Sequence, residues 1–305
     1  METCGQGYVS RFDWRVLSHD MYNIYIHIDI PHQFVEWEVD TVLESDMGHA
    51  YVTPSNKGMT ATDTQKNTVY YVAKQMKSYC TPEEFAIALG KHFVKQYPLV
   101  FKAKITVTCA PWSRYGGRHH HGFVQSGSER RSARVIVSKG EILESVVAGV
   151  SGLKVLKTTQ SGYEGFLHDE YTLLPDTRER ILATSMSSTW KYCSKKINSM
   201  TVDYDATYTN VLDACLGTFF GPMATGVYSP SVQFTLHEMG KKVMETVPLV
   251  SSIHFSLPNL HFLPCAPVNS PSGFEDDVYI GTQEPHGTIE AVITRGAMYT
   301  PHCKL

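Results

Sequence analysis

The sequence predicts an α+β fold: antiparallel strands with helices on one face, in two successive halves, residues 1–145 and 146–305. Three observations carry this. Apolar and polar residues alternate over short runs at the start and end of each half, the period of two that gives a strand one buried face. Between those runs lie stretches whose apolar residues share one helical face. The order strand-strand-helix-helix-strand-strand recurs loosely in both halves, although no letter-level repeat joins them.

In the first half, Ile24, Ile26, Ile28 and Ile30 alternate with Tyr25, His27 and Asp29. After Pro31-His32-Gln33, Val35, Trp37 and Val39 alternate with Glu36, Glu38 and Asp40, which makes the two runs an antiparallel hairpin. A helix comes next, from about Asp63 to Met76. Thr81-Pro82-Glu83-Glu84 opens another: Thr81 caps, Pro82 suits the first turn, and Glu84 completes a capping box. Phe85, Ala88, Leu89, Phe93 and Val94 line one side of that helix. Ala103–Cys109, His121–Gln125 and Arg134–Ser138 read as extended.

In the second half, Leu143–Val147 and Leu153–Thr158 are strand-like, and Arg178–Ala183 and Tyr208–Phe219 are helical candidates. Val232–Val247 is a further helix, with Phe234, Leu236, Met239, Val243 and Met244 apolar and Pro248 as its stop. Ile253–Leu257 and Thr288–Thr294 are closing strands, and Ser270-Pro271-Ser272-Gly273 is a surface loop.

Composition narrows the function. The formal charge of −3 and the lack of a Lys/Arg block give no case for nucleic-acid binding. No run approaches the roughly 18 apolar residues of a membrane helix, and Met1–Asp20 carries charges throughout, unlike a signal peptide. The seven cysteines are scattered, odd in number and without C-x-x-C, which disfavours a zinc ribbon or a disulfide framework and reads as reduced intracellular thiols. There is no dinucleotide glycine fingerprint, phosphate loop or H-E-x-x-H. His119-His120-His121 is the nearest thing to a metal cluster. On a strand His119 and His121 share a face, but no third ligand stands near, and hydrogen-bonded histidines on a polar strand account for them as well.

Four segments carry more. They are Ala61–Thr68 ahead of a helix, where Thr62 and Asp63 can act as caps; Leu153–Arg180; Ser231-Val232-Gln233 at a helix start; and Phe255–Phe262 leaving a strand. Composition alone makes none of them catalytic. Taken together and in this order, they resemble the urate oxidase (uricase) family. The long signature of that family is matched by Leu153, Val155, Leu156, Lys157, Thr158, Thr159, Ser161, Phe166, Tyr171, Leu174 and Arg180. Thr62-Asp63, Val232-Gln233, Leu257-Pro258-Asn259-Leu260-His261 and Trp112-Ser113-Arg114 match as well.

The resemblance implies two tandem ββααββ modules of the tunnelling-fold (T-fold) type, a homotetramer with sites at subunit interfaces, and no metal or organic cofactor. It implies oxidation of urate by O2 and water to 5-hydroxyisourate and hydrogen peroxide. Carried over by residue, Arg180, Gln233 and the Val232 N–H bind the rim of urate, and Asp63 contacts it from a neighbouring chain, chiefly through its backbone. The family's stacking phenylalanine is here Tyr163. Asn259 holds oxygen or the attacking water, and His261 and Thr62 belong to a proton relay. The terminal Cys303-Lys304-Leu305 is one substitution from Ser-Lys-Leu, which with this family implies the peroxisomal import receptor and a peroxisomal location, while a lone tripeptide also arises as an arbitrary tail.

The chain departs from the family at one position. The family places a catalytic lysine near its N-terminus, and no lysine occurs here before Lys57. Aligning on Tyr8 puts Ser10 there; aligning on the following Arg-Val puts Arg11. Arginine stays protonated and acts only electrostatically. The alternatives are proton transfer by His261 or a water chain, Lys57 reaching in, or a purine-binding homologue without turnover. A T-fold enzyme acting on a pterin or guanine nucleotide, some of which use zinc, would want a Cys/His metal set, which this chain lacks.

Overall fold

Trp37, Val39, Thr41 and Leu43 alternate inward along an eleven-residue strand, Val35–Ser45, and this buried row organises the first of two compact units. The computed structural model describes residues 15–16, 22–24, 32–76, 78–265, 277–282 and 286–296. The first unit comprises Met1–Gly127, Arg131–Ala148 and Asn198–Met200; the second comprises Ser128–Arg130, Gly149–Ile197 and Thr201–Leu305.

The elements of the first unit run β1 (Arg15–Val16), β2 (Tyr22–Ile24), β3 (Val35–Ser45), α1 (His49–Val52), α2 (Thr62–Gln75), α3 (Pro82–Gln96), β4 (Val100–Cys109), β5 (Trp112–Arg114), β6 (Phe123–Gln125), β7 (Arg130–Ser138) and the start of β8 (Ile142–Lys157). Its sheet order is β1-β3-β4-β7-β8, with β2 also on β3. The pairings of β3 with β1, β2 and β4, and of β4 with β7, are antiparallel. The expected Ile24–Ile30 strand is described only as far as Ile24, paired with Val35; residues 25–30 lie outside the described residues, as do Ser10, Arg11, the 270–273 loop and Cys303–Leu305. The capping box on α3 forms as expected: the Thr81 hydroxyl accepts from the Glu84 N–H at 3.2 Å, and the Glu84 carboxylate accepts from the Thr81 N–H at 2.8 Å. Phe85, Leu89 and Phe93 on α3 are fully buried. His119–His121 do not lie on a strand. They sit in the turn between β5 and β6, exposed, with the His119 and His121 rings 4.6 Å apart.

The second unit continues β8 with β9 (Leu182–Tyr192), α4 (Ser194–Ile197), α5 (Tyr204–Phe220), α6 (Val232–Thr246), β10 (Val250–Pro264), β11 (Tyr279–Thr282) and β12 (Thr288–Thr294). Its sheet order is β8-β9-β10. β10 is flanked on its far edge first by β12, up to Pro258, and then by β11 from His261. The two strand segments expected in residues 143–158 are one continuous strand, β8. The helix expected at Arg178–Ala183 is absent: residues 178–181 are irregular and Leu182 begins β9. The reason is tertiary. β9 turns Thr184 and Ser188 inward among its apolar residues, so its alternation is faint in sequence, and pairing with β10, Trp190 opposite Ile253, fixes it as strand.

A repeat that the letters barely show is plain in the folded helices. α3 and α6 both span fifteen residues, with Thr81 and Ser231 as caps and Gly90 and Gly240 at the ninth position. Pro98-Leu99-Val100 and Pro248-Leu249-Val250 then turn each helix into its strand. The glycines let the helices approach the sheet: a Cβ would stand 2.7 Å from Val137 at Gly90 and 2.7 Å from Ile293 at Gly240.

Two local arrangements fix the geometry of the second unit. The first is a backbone clasp. Tyr163 and Thr177 exchange hydrogen bonds of 2.7 and 3.0 Å, and the Arg180 N–H reaches the Ser161 carbonyl at 2.9 Å. A side chain at Gly162 would meet the Tyr228 hydroxyl at 2.1 Å and the Thr177 carbonyl at 2.8 Å, so this crossing requires glycine. The second is Lys157, the last residue of β8. Its ammonium donates to the carbonyls of Phe219 (3.3 Å) and Val227 (2.8 Å) and to the Ser229 hydroxyl (2.7 Å). No carboxylate pairs with it among the described residues, and burial lowers its pKa from 10.5 to about 8.

Gly162→Ala should separate the clasp. We expect a loss of about 2 kcal/mol or more in denaturant unfolding, the range of backbone and overpacking lesions. Glu164→Ala nearby removes only an exposed, solvent-screened ion pair with Arg178, and should leave the unfolding midpoint essentially unchanged. Lys157 gives a pH dependence. Between about 8 and 10.5 the unfolded lysine keeps a proton that the folded one releases, so folding stability rises with pH in that window. The stability of the protein relative to Lys157→Met should therefore increase from about pH 8 to about pH 10, and a flat difference would contradict the burial of this amine.

Candidate active site

In the second unit the clasp brings Tyr163 and Arg180 to the wall of a cavity of about 340 Å3. Val232 and Gln233 enter from the first turn of α6, and Asn259, Leu260 and His261 from β10. Leu174, Thr177, Ile181, Phe262 and Ile289 complete the lining. Six of the residues singled out in the sequence, Tyr163, Arg180, Val232, Gln233, Asn259 and His261, thus share one cavity, within the size range of small-molecule sites.

Each is placed for a physical reason. Ser231 caps α6 by accepting from the Phe234 N–H at 3.1 Å, and the Thr235 N–H bonds the Ser231 carbonyl at 3.2 Å. The Val232 and Gln233 amides therefore have no intrahelical acceptor and stand at the positive end of the helix, beside the cavity. Asn259 and His261 are two residues apart on a strand and so share a face. Asn259 is a strand residue, not the turn residue its place after Pro258 suggests: it pairs with Thr184, and its N–H bonds the Gly287 carbonyl at 2.9 Å. The side chains of Gln233, Asn259 and His261 line the cavity without a hydrogen bond to any other described residue.

Arg180 supplies the charge. Its Nε lies 3.4 Å from the Ser161 hydroxyl, its guanidinium carbon 5.4 Å from the Tyr163 ring centre, and no carboxylate pairs with it among the described residues. Burial pulls its pKa down, with the Tyr163 and Tyr228 hydroxyls acting the other way, and it remains a cation. With the α6 N-terminus, this makes one wall of the cavity attractive to a flat anion. Tyr163 is held by a stack of rings: Phe166 lies 4.7 Å away at 11°, and His168 lies 4.4 Å from Phe166 at 21°. His168 in turn stands 3.4 Å from Asp176, which also accepts from the Gly165 N–H at 3.0 Å. Neither this stack nor the Thr177 carbonyl could be singled out from the sequence, because ring stacking between loop residues and a backbone role leave no mark in residue spacing.

The remaining expected residues belong to the first unit. Thr62 and Asp63 are the first two residues of α2 and are exposed; the N-cap is Ala61, which makes no side-chain cap, so the reading of Thr62 and Asp63 as caps is corrected. The Asp63 carboxylate accepts from Asn67 at 2.9 Å and lies 3.8 Å from Lys66, so its side chain serves its own helix while its N–H has no intrahelical acceptor. Thr62 lines a smaller apolar recess with Leu43, Met47 and Met59. Lys57 is exposed, its carbonyl held by the His49 ring at 2.9 Å. No group of three or more metal-ligating side chains gathers among the described residues.

The family model described as Uricase matches residues 29–136 and 146–290. The chain is 45% identical over 277 residues to a uricase of Arabidopsis thaliana, covering 88% of this chain and 89% of that one. It is 44% identical to uricase-2 of Phaseolus vulgaris, covering 87% and 88%. The crystal structure of uricase from Arthrobacter globiformis superposes with a TM-score of 0.83 at 33% identity, covering 97% of this chain and 98% of that one. A chain that matches the family model along both units, and is this similar to uricases in sequence and in structure over most of its length, belongs to the uricase family.

Proposed function

We infer that this chain is a urate oxidase, an oxidoreductase that uses dioxygen and needs neither metal nor organic cofactor. The observation that carries the reading is the convergence of the Arg180 guanidinium, the Val232 and Gln233 amides, the Gln233 side chain and the Tyr163 ring on one cavity. Urate is a flat anion with carbonyls and N–H groups around its rim. Arg180 offers it a planar fork, Gln233 a donor and an acceptor side by side, and Tyr163 a ring to stack on.

The reaction removes two electrons and two protons from urate and passes them to O2, which becomes hydrogen peroxide. Water then adds its oxygen to carbon 5, giving 5-hydroxyisourate. In this reading Asn259 holds O2 or the attacking water over the purine plane, and His261, two residues along the same strand face, moves protons. Thr62 joins that relay, and Asp63 adds a backbone contact from a neighbouring chain of a homotetramer. Their exposure on the first unit supports this, as does the loop after Phe166, which leaves Leu167, Tyr171 and Leu173 84, 83 and 96% exposed. Aligned on the following Arg-Val, Arg11 takes the family's lysine position and would act as a fixed cation. Two tandem T-fold modules, divided near residue 145, and peroxisomal import through Cys303-Lys304-Leu305 complete the proposal.

Turnover of urate by purified protein in the presence of a chelator tests the reaction. One peroxide should appear per urate lost; urate binding without peroxide would mark a silent homologue. Within the site, Arg180→Ala should raise KM at least about tenfold, the worth of a charge-assisted hydrogen bond, and Asn259→Ala should lower kcat while sparing KM. Equal loss of both constants in the Asn259 variant would assign that residue a structural role instead.

A further inference from the structure

Lys157 lines no part of the cavity, yet its ammonium lies at a junction of the two elements that build it. All three of its acceptors flank the connection between α5 and α6: Phe219 at the entry, Val227 and Ser229 at the exit. Phe219 is in the last turn of α5, where backbone carbonyls lack helical donors and a cation is favoured. The Phe219 ring also lies 5.4 Å from the ammonium. The connection is tight: Gly221 has φ of 70°, and a side chain there would stand 2.7 Å from Val227.

Ser229, buried at 1% exposure, is the branching point. Its carbonyl accepts from the Gly162 N–H at 3.0 Å, and its N–H donates to the Gln160 carbonyl at 2.9 Å, which fixes the segment carrying Tyr163. Its hydroxyl accepts from the Thr235 hydroxyl at 2.8 Å; that hydroxyl also lies 3.0 Å from the Ser231 carbonyl, in the first turn of α6 beside Val232 and Gln233. The ammonium is thus one bond from a serine tied to both walls. With no carboxylate partner among the described residues, an ion pair does not account for it.

We infer that Lys157 is a positioning residue for the urate pocket, setting the Tyr163 wall and the Val232-Gln233 wall relative to each other through Ser229. The inference rests on the reading of the cavity as that pocket. Because Lys157 acts on the groups that bind the purine and not on those proposed for the oxygen step, its loss should appear in KM more than in kcat.

The test compares Lys157→Met, which keeps length without donors, with Ser229→Ala, and runs Arg180→Ala beside them. Steady-state urate oxidation and thermal midpoints are measured for each. We expect Lys157→Met and Ser229→Ala each to raise KM about tenfold, the scale of a misplaced binding group, with kcat within about twofold. Their double variant should do no more than either alone, and the Lys157→Met effect should shrink when Gln233→Ala is already present. Additive effects, or equal losses in kcat and KM, would overturn the positioning role. Should Lys157→Met not fold, an unchanged KM in Ser229→Ala overturns it alone. If Arg180→Ala raises KM while neither of the others does, this inference fails and the pocket stands. If Arg180→Ala leaves KM unchanged, the pocket reading fails and takes the inference with it.

Discussion

Two backbone hydrogen bonds between Tyr163 and Thr177, with a third from the Arg180 N–H to the Ser161 carbonyl, decide where the aromatic ring and the guanidinium of the cavity stand. The guanidinium and the Tyr163 ring both hang on that clasp. The clasp itself depends on the missing side chain of Gly162, beneath the Tyr228 hydroxyl, and on the buried Ser229, which ties the same segment to the connection before α6. Pocket chemistry that looks like side-chain design is therefore set first by main chain crossing main chain. The side chains inherit their directions from it.

The duplicated helices show how one framework carries different contents. Gln233, at the second position of α6, lines the cavity. Glu83 holds the matching position on α3, is fully buried, and meets Arg131 at 2.8 Å. A buried ion pair of this kind fills its surroundings and costs about 3–5 kcal/mol when one partner is removed. An uncommitted amide keeps its hydrogen-bonding capacity for a ligand. The same capping role, the same helical glycine and the same Pro-Leu-Val turn serve both, so the framework is a packing solution and the choice between glutamate and glutamine is where the two units part.

Much of the fold could be read from residues. The inward Trp37 and Val39, the capping box at Thr81 and Glu84, and the helix from Val232 to its stop before Pro248 all arise from local chemistry and appear as expected, although the buried row runs on to Leu43 and Val35 at its start is only half-buried. β9 did not, because Thr184 and Ser188 dilute its buried face and its pairing between β8 and β10 makes it a strand. Asn259, after Pro258, has the local character of a turn residue, and β9 on its other side keeps it in β10.

The site divides the same way. The resemblance to the uricase family, carried by several motifs in order along the chain, pointed to Tyr163, Arg180, Val232, Gln233, Asn259 and His261, and the chemistry of each side chain, a fork of donors, an amide or a ring, suits the role that the resemblance implies. That these six share one cavity, that Phe166 and His168 stack behind Tyr163, and that Lys157 bonds Phe219, Val227 and Ser229 across the α5–α6 connection could be decided only by the tertiary structure. Those relations run through backbone carbonyls and buried hydroxyls brought together from distant parts of the chain. A carbonyl is the same in every residue, so sequence cannot say which one a neighbouring strand will find.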